Sequence, residues 1–198
     1  IVHPCDRAGY EVLSMLLSEA NMRGSKAAPM LYLADLARLP ASTALLVMPP
    51  RHPDAHYQTH LQTIRQIAKG QLFAGVCLYR DGADEARCQM LITAAAALGL
   101  RVAAAADALY HIPDRRPLAD VLACIREKQQ LDDAGYLISR NAERHLIDCA
   151  EAERRWRHVP DALDGARALA DLCHLSMDDL SYEYPNAVSY THLDAADD

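Results

Sequence analysis

Aromatic side chains are scarce in this chain, making up 6% of 198 residues with a single Phe and a single Trp. Its core must therefore be aliphatic, and the abundance of Ala and Leu favours a helix-rich one. No run approaches the ~20 apolar residues of a transmembrane helix, so no membrane role is expected and the location expected is cytoplasmic. The six cysteines are widely spaced without a C-x-x-C pair, which argues against both a zinc site and a compact disulfide framework. Cys77 and Cys124 lie in apolar stretches and read as small core residues, and reduced thiols are the plain expectation. A Gly-rich phosphate loop, a G-x-S-x-G elbow and a Ser/His/Asp constellation are all missing, so nothing supports an independent nucleotide-binding or acyl-transfer site. A basic nucleic-acid footprint is missing too. The net charge is −7, residues 1–110 carry ten Lys/Arg against nine Asp/Glu, and residues 111–186 carry ten against fifteen. If the protein touches DNA, this part is not its main phosphate grip.

What is present is an alternation of short apolar runs with helical periodicity. An amphipathic helix is expected over 9–22, followed by a loop rich in Gly, Ser and Lys. Thr43–Met48 reads as a buried strand stopped by Pro49-Pro50. A helix follows from Pro53, a favourable first-turn residue, to Lys69. Residues 72–79 read as the next strand, and Asp81-Gly82 turns the chain into a helix over 83–98 with Gly99 as its C-cap. Residues 102–109 form the third expected strand. Strand–helix alternation with brief turns predicts an α/β fold with a parallel sheet. Beyond Pro117 the pattern is helical, over 118–128, 141–157 and 160–173. Three βα units are too few for a closed barrel, so part of a barrel with a helical extension is predicted. Such a piece would expose sheet edges, and poor solubility in isolation is expected from that.

The segment from Arg101 to His111 carries the most chemistry. It delivers Asp107 to the carboxyl end of a strand, where α/β folds usually place ligand and metal sites. His52, His56 and His60 form a second cluster at i, i+4 spacing. Two histidines four apart can hold zinc on a helix face, but a third ligand and the Glu of His-Glu-x-x-His are missing, and a solvated, titratable face is the plainer reading. Arg140, Arg144, Arg154, Arg155 and Arg157 are interleaved with Asp and Glu. That pattern suits a salt-bridged exposed surface, with DNA contact as the rival reading. Residues 187–193, Ala-Val-Ser-Tyr-Thr-His-Leu, match the translation of a transposase sequencing adaptor. The native sequence is therefore expected to stop near Asn186, with 187–198 a non-native or disordered tail. A first residue of Ile rather than Met fits a fragment.

Four stretches together carry a family resemblance. They are Asp107-Ala-Leu-Tyr-His-Ile-Pro-Asp-Arg-Arg-Pro-Leu-Ala-Asp-Val-Leu-Ala-Cys-Ile-Arg-Glu-Lys128, Leu131-Asp-Asp-Ala-Gly135, Asn141-Ala-Glu-Arg-His-Leu146 and Leu175-Ser-Met-Asp-Asp-Leu-Ser-Tyr-Glu-Tyr-Pro185. In this order they resemble the error-prone C-family DNA polymerases, relatives of the replicative polymerase III alpha subunit. The resemblance implies the later part of the polymerase-and-histidinol-phosphatase (PHP) domain, a distorted (β/α)7 barrel, and its exit toward the polymerase palm. The division implied is 1–128 for the partial PHP domain and 129–186 for the helical extension. The parent reaction would be DNA-directed DNA synthesis from dNTPs, in translesion synthesis during DNA repair and replication. Its Mg²⁺ would sit on palm aspartates outside this chain, which alone is expected to be inactive. Clamp or damage-response proteins are possible partners, and Asn141–Leu146 would lie near the junction to the palm.

In the family's intact pattern the third strand ends in Asp-x-His, both of them metal ligands. Residues i and i+2 share one face of a strand about 6.6 Å apart, close enough to converge on one ion. Here the pattern is Asp107-Ala108-Leu109, and leucine cannot ligate. His111 shares the parity but lies about 13 Å along an extended strand, within reach only if the strand bends at once. The reading is a decayed metal site in which Asp107 caps the Pro-rich turn or pairs with Arg115 or Arg116. The alternative is a PHP-type metal-dependent phosphoesterase or 3'-5' exonuclease.

Overall fold

The computed structural model describes residues 1–25 and 28–180. The Tyr-Glu-Tyr-Pro motif at 182–185 and the 187–198 tail lie outside the described residues. The fold is α/β. Strands β1 (Val2–Pro4), β2 (Thr43–Val47), β3 (Gln71–Val76) and β4 (Arg101–Ala104) form one sheet in the order β1-β2-β3-β4. β2, β3 and β4 are parallel, as the alternating pattern predicts, while β1 is antiparallel to β2. The sheet is thus mixed. β1 was not expected, because a strand of three residues is too short to show an alternating pattern.

The helices are α1 (Arg7–Arg23), α2 (Ala55–Ile67), α3 (Asp84–Ala97), α4 (Arg116–Glu127), α5 (Cys149–Arg155) and α6 (Pro160–Asp171). Side-chain caps fix several of their starts. The Asp6 carboxylate accepts from Gly9 N (2.8 Å), and Asp54 accepts from the backbone N–H groups of His56 and Tyr57, satisfying donors that a helix start leaves open. Helix α2 therefore begins at Ala55, after the cap, rather than at Pro53. The helix expected over 141–157 is helical only in α5, because 141–148 runs back across the sheet mouth instead.

Register sorts the strand residues onto two faces. Ala44, Leu46, Phe73 and Ala103 share one face and meet Leu169 of α6. Ala74 and Val76 share the other face, packed with Tyr57 and Leu61 of α2, Leu91 and Ala95 of α3, and Trp156.

Helix α6 wraps the outer edge of β4. Ala105 N donates to Val76 O (3.0 Å), so odd-numbered residues of this stretch face β3. The carbonyl of Val102 therefore points away from β3, and a Cβ built on Gly165 would lie 1.8 Å from that oxygen. Ala162 belongs to one apolar cluster and Leu169 to the other, so α6 straddles the edge with Gly165 at the crossing. The outer edge of β4 is thus covered. Helix α4 does the opposite, leaving Leu118, Val121, Leu122 and Ile125 exposed along one stripe, the i, i+3, i+4, i+7 pattern of a face that would pack on an apolar neighbour.

Candidate functional site

The carboxyl ends of β3 and β4 are closed by polar groups from four segments. β4 ends at Ala104 and Asp107 adopts a left-handed backbone (φ 47°), a conformation that Asp tolerates better than most residues. The strand expected to run to 109 therefore stops short. Asp107, Leu109 and His111 lie on a turn, and the i, i+2 strand parity that would converge Asp107 with its neighbours does not apply.

Asp107 pairs with neither Arg115 nor Arg116. Its Oδ2 accepts from Arg144 Nη2 (2.7 Å) and Tyr79 Oη (2.9 Å), and its carbonyl accepts from Arg144 Nε (3.0 Å). Arg116 instead pairs with Asp120 (3.3 Å) and donates to Ser139 O (2.6 Å). The Arg144 guanidinium thus stands as the cation beside the carboxylate. His111 is exposed.

The strap 141–146 brings Arg144 there. Asn141 Nδ2 donates to the carbonyls of Tyr79 (2.8 Å) and Arg80 (3.0 Å), Leu109 N donates to Arg144 O (2.9 Å), and Leu146 N donates to Tyr110 O (3.1 Å). A single bridge between Tyr110 and His145 runs parallel. The segment read as a helical surface is an extended clasp.

Tyr79 is the hub. Its ring is buried, and the guanidinium carbons of Arg87, Arg51 and Arg144 lie 4.9, 5.5 and 5.8 Å from its centroid, within cation–π range. Burial, then the neighbouring Cys77 and Asp107, push its phenol well above the usual range, so it remains a donor. Burial pushes the Cys77 thiol up to about 11, which keeps it from serving as a nucleophile near neutral pH.

Arg87, with 3% of its side chain exposed, pairs with Asp81 (2.8 Å) and Asp84 (2.6 Å) and donates to Arg51 O (3.1 Å). Asp84 also accepts from the backbone N–H groups of Tyr79 and Arg80. Burial works most strongly against the charged form of Asp81, but the Arg87 hydrogen bonds and charge together with the Ala83 backbone N–H outweigh it and hold the carboxyl low. Neither Tyr79 nor Arg87 was singled out in the sequence. The available signal was Asp81-x-x-Asp84-x-x-Arg87 across a helix start, a spacing that stacks the three on one side of the first turns.

Of the five arginines read as a surface set, Arg155 is 6% exposed and pairs with Glu143 (2.9 Å) and Glu151 (2.7 Å). Arg154 is exposed and pairs with Glu151 (2.6 Å), and Arg80 reaches the same glutamate at 3.3 Å. Arg140 stacks on Tyr136, and Arg157 donates to His158. Hydrogen bonds from Arg155 and Arg154 hold the Glu151 carboxyl at about 2, below its ordinary 4.5. A carboxylate depressed on folding contributes stability above its unfolded pKa and loses it as pH falls through the folded one. Amide protection over 143–155, corrected for intrinsic exchange, is therefore expected to fall between pH 4.5 and 2 more than that of β2 and β3. Equal loss in both regions would refute the clasp's dependence on Glu151.

His56 and His60 lie on α2 and His52 precedes its cap. All three are exposed along one cleft with Asp54 and Tyr57. Among the described residues no group of three His, Cys, Asp or Glu is arranged to hold a metal ion. Asp107 does not fit one either, with Oδ2 already bound to Arg144 and Tyr79 and leucine two residues on. Chemically the mouth is a neutralised lock: Asp81, Asp84, Asp107, Glu143 and Glu151 each have an arginine partner, and the phenol and thiol are both held protonated.

No protein-family model matches the chain. It is 37% identical over 187 residues to an error-prone DNA polymerase of Rhodopseudomonas palustris, 35% over 189 residues to one of Sinorhizobium medicae, and 37% over 193 residues to one of Ruegeria pomeroyi. These matches take in 94–96% of this chain, and the chain spans about 17% of the length of the curated relatives. The chain is therefore homologous, over nearly all its length, to one segment of much longer proteins of that name. No helix among the described residues is long and apolar enough to cross a membrane.

Proposed function

We propose that this chain is a structural segment of an error-prone DNA polymerase, the kind of protein its homologues are named as. In this reading residues 1–128 are part of a PHP-type barrel and 129–186 an extension docked on it. The segment supports a polymerase core that lies outside it. The parent reaction is DNA-directed DNA synthesis from dNTPs, serving translesion synthesis, with Mg²⁺ and DNA held by residues elsewhere in the parent. The observation that carries the scaffold role is the Asp107–Arg144 pair. At the position where the resemblance puts a metal ligand, the carboxylate is used to fasten the 141–146 strap. The exposed apolar stripe of α4 supports the same role, since a supporting segment needs a face to pack on its neighbour.

The test uses the full parent polymerase. Asp107→Ala is expected to loosen this segment by about 1–3 kcal/mol, the cost of losing a half-buried charged pair, read as lower amide protection over 141–146. Primer extension per folded molecule is expected to stay within twofold. Leu109→His, which restores Asp-x-His in sequence, is expected to gain no stoichiometric Mn²⁺ or Zn²⁺, because Asp107 is turned into the lock. Bound metal in the parent that disappears with Asp107→Ala, accompanied by phosphatase or 3'-5' exonuclease activity, would establish the phosphoesterase reading instead.

A further inference from the structure

Two segments far apart in sequence meet at a pair of thiols. His174 N donates to Cys5 O (3.0 Å), while Cys5 N donates to Ser42 O (3.0 Å), so the backbone at Cys5 is held from both sides. A main-chain hydrogen bond between neighbouring segments brings flanking Cα atoms to about 5–6 Å, the interval that disulfides span. The Cys5 thiol donates to His3 O (3.8 Å) and the Cys173 thiol to Leu169 O (3.5 Å), and burial and then the nearby Cys173 both raise the Cys5 thiol. Cys5 is half-buried against the Leu46, Phe73 and Leu169 cluster, whereas Cys173 is exposed at the end of α6. Cys77, Cys88 and Cys124 are buried, and Cys149 is exposed at the start of α5.

We propose that Cys5 and Cys173 form an oxidation site, converted by hydrogen peroxide into an intramolecular disulfide that latches α6 to β1. The exposed Cys173 sulfur, as thiolate, attacks one peroxide oxygen. The O–O bond breaks, giving a sulfenic acid and hydroxide, which takes up the proton released by Cys173. The Cys5 sulfur then attacks the Cys173 sulfur, the S–O bond breaks, and the hydroxyl leaves as water with the Cys5 proton. Two thiols lose two electrons and one peroxide becomes two waters. Exposure makes Cys173 the first target. Cys5, half-buried beside it, is less open to peroxide and is placed to resolve the sulfenic acid. The bond would close a loop containing nearly the whole fold and hold α6 over the β4 edge.

Peptide mapping without reductant, after peroxide treatment and blocking of free thiols on the full chain, tests this. One linked peptide pair joining Cys5 to Cys173 is expected, with the six free thiols reduced by two. The oxidised chain is expected to melt about 5 °C or more above the reduced chain. Cys149→Ser should behave as the wild type, and Cys173→Ser should lose both the link and the shift. Recovery of Cys173 as sulfinic acid unlinked to Cys5, its linkage to Cys149, or a dimer joined through Cys173 would each overturn the proposal. Mapping of the wild-type chain decides even if the variant fails to fold. None of these outcomes depends on the polymerase reading.

Discussion

Arg87→Leu is expected to destabilise the fold by about 3–5 kcal/mol, the usual cost of removing one partner from a buried ionic cluster. Leucine fills much of the space, so the loss is electrostatic rather than a cavity effect. Asp81 and Asp84 would be left facing each other without the guanidinium that holds both. The Arg51 carbonyl would lose its donor, and Tyr79 the nearest of its three cations. Denaturant unfolding measures the loss directly, and adding Asp81→Asn to the variant should recover part of it by removing one stranded charge. A loss under about 1 kcal/mol would mean that water reaches the cluster and that its burial is illusory.

Gly165→Val ranks second, at about 3 kcal/mol. Even the first added carbon would fall 1.8 Å from the Val102 carbonyl oxygen, a backbone atom that cannot swing aside. Helix α6 would have to lift from β4, opening both apolar clusters at once because Ala162 serves one and Leu169 the other. Overpacking against side chains usually costs about 1–3 kcal/mol, and a backbone obstacle belongs at the top of that range. Gly165→Ala should already show most of the effect. If alanine were neutral by thermal melting, the close approach of α6 to the strand would be wrong.

Much of the frame could be read from the sequence, because the elements that carry it announce themselves locally. Thr43–Val47 is an apolar run stopped by prolines, and α3 opens on two acidic residues after a Gly turn. The antiparallel β1 was not legible, since its place depends on a partner forty residues away rather than on a pattern of its own. The site was half legible. Leu109 two residues after Asp107, where the resembled pattern has histidine, could be seen directly. The identity of the Asp107 partner could not. Arg144 reaches Asp107 only because 141–148 leaves the helical path that its composition suggests, drawn away by Asn141 bonding to the Tyr79 and Arg80 carbonyls. A local propensity yielded to tertiary hydrogen bonds, which no window of the sequence displays. The arginines misled in the same way, for interleaved charges look alike whether exposed, as in Arg154, or buried, as in Arg155.

The position of α6 also sets a timetable for folding on the ribosome. β4 is complete at residue 104, but the helix that covers its outer edge is not centred until Gly165. At about 5–20 residues per second, the intervening sixty residues take roughly 3–12 s to synthesise. For that interval the carbonyl of Val102 and its neighbours face solvent as an open strand, able to pair with another nascent chain. Aggregation during synthesis should therefore depend on translation speed between codons 105 and 165, with slow codons there lowering soluble yield even though the finished protein is unchanged.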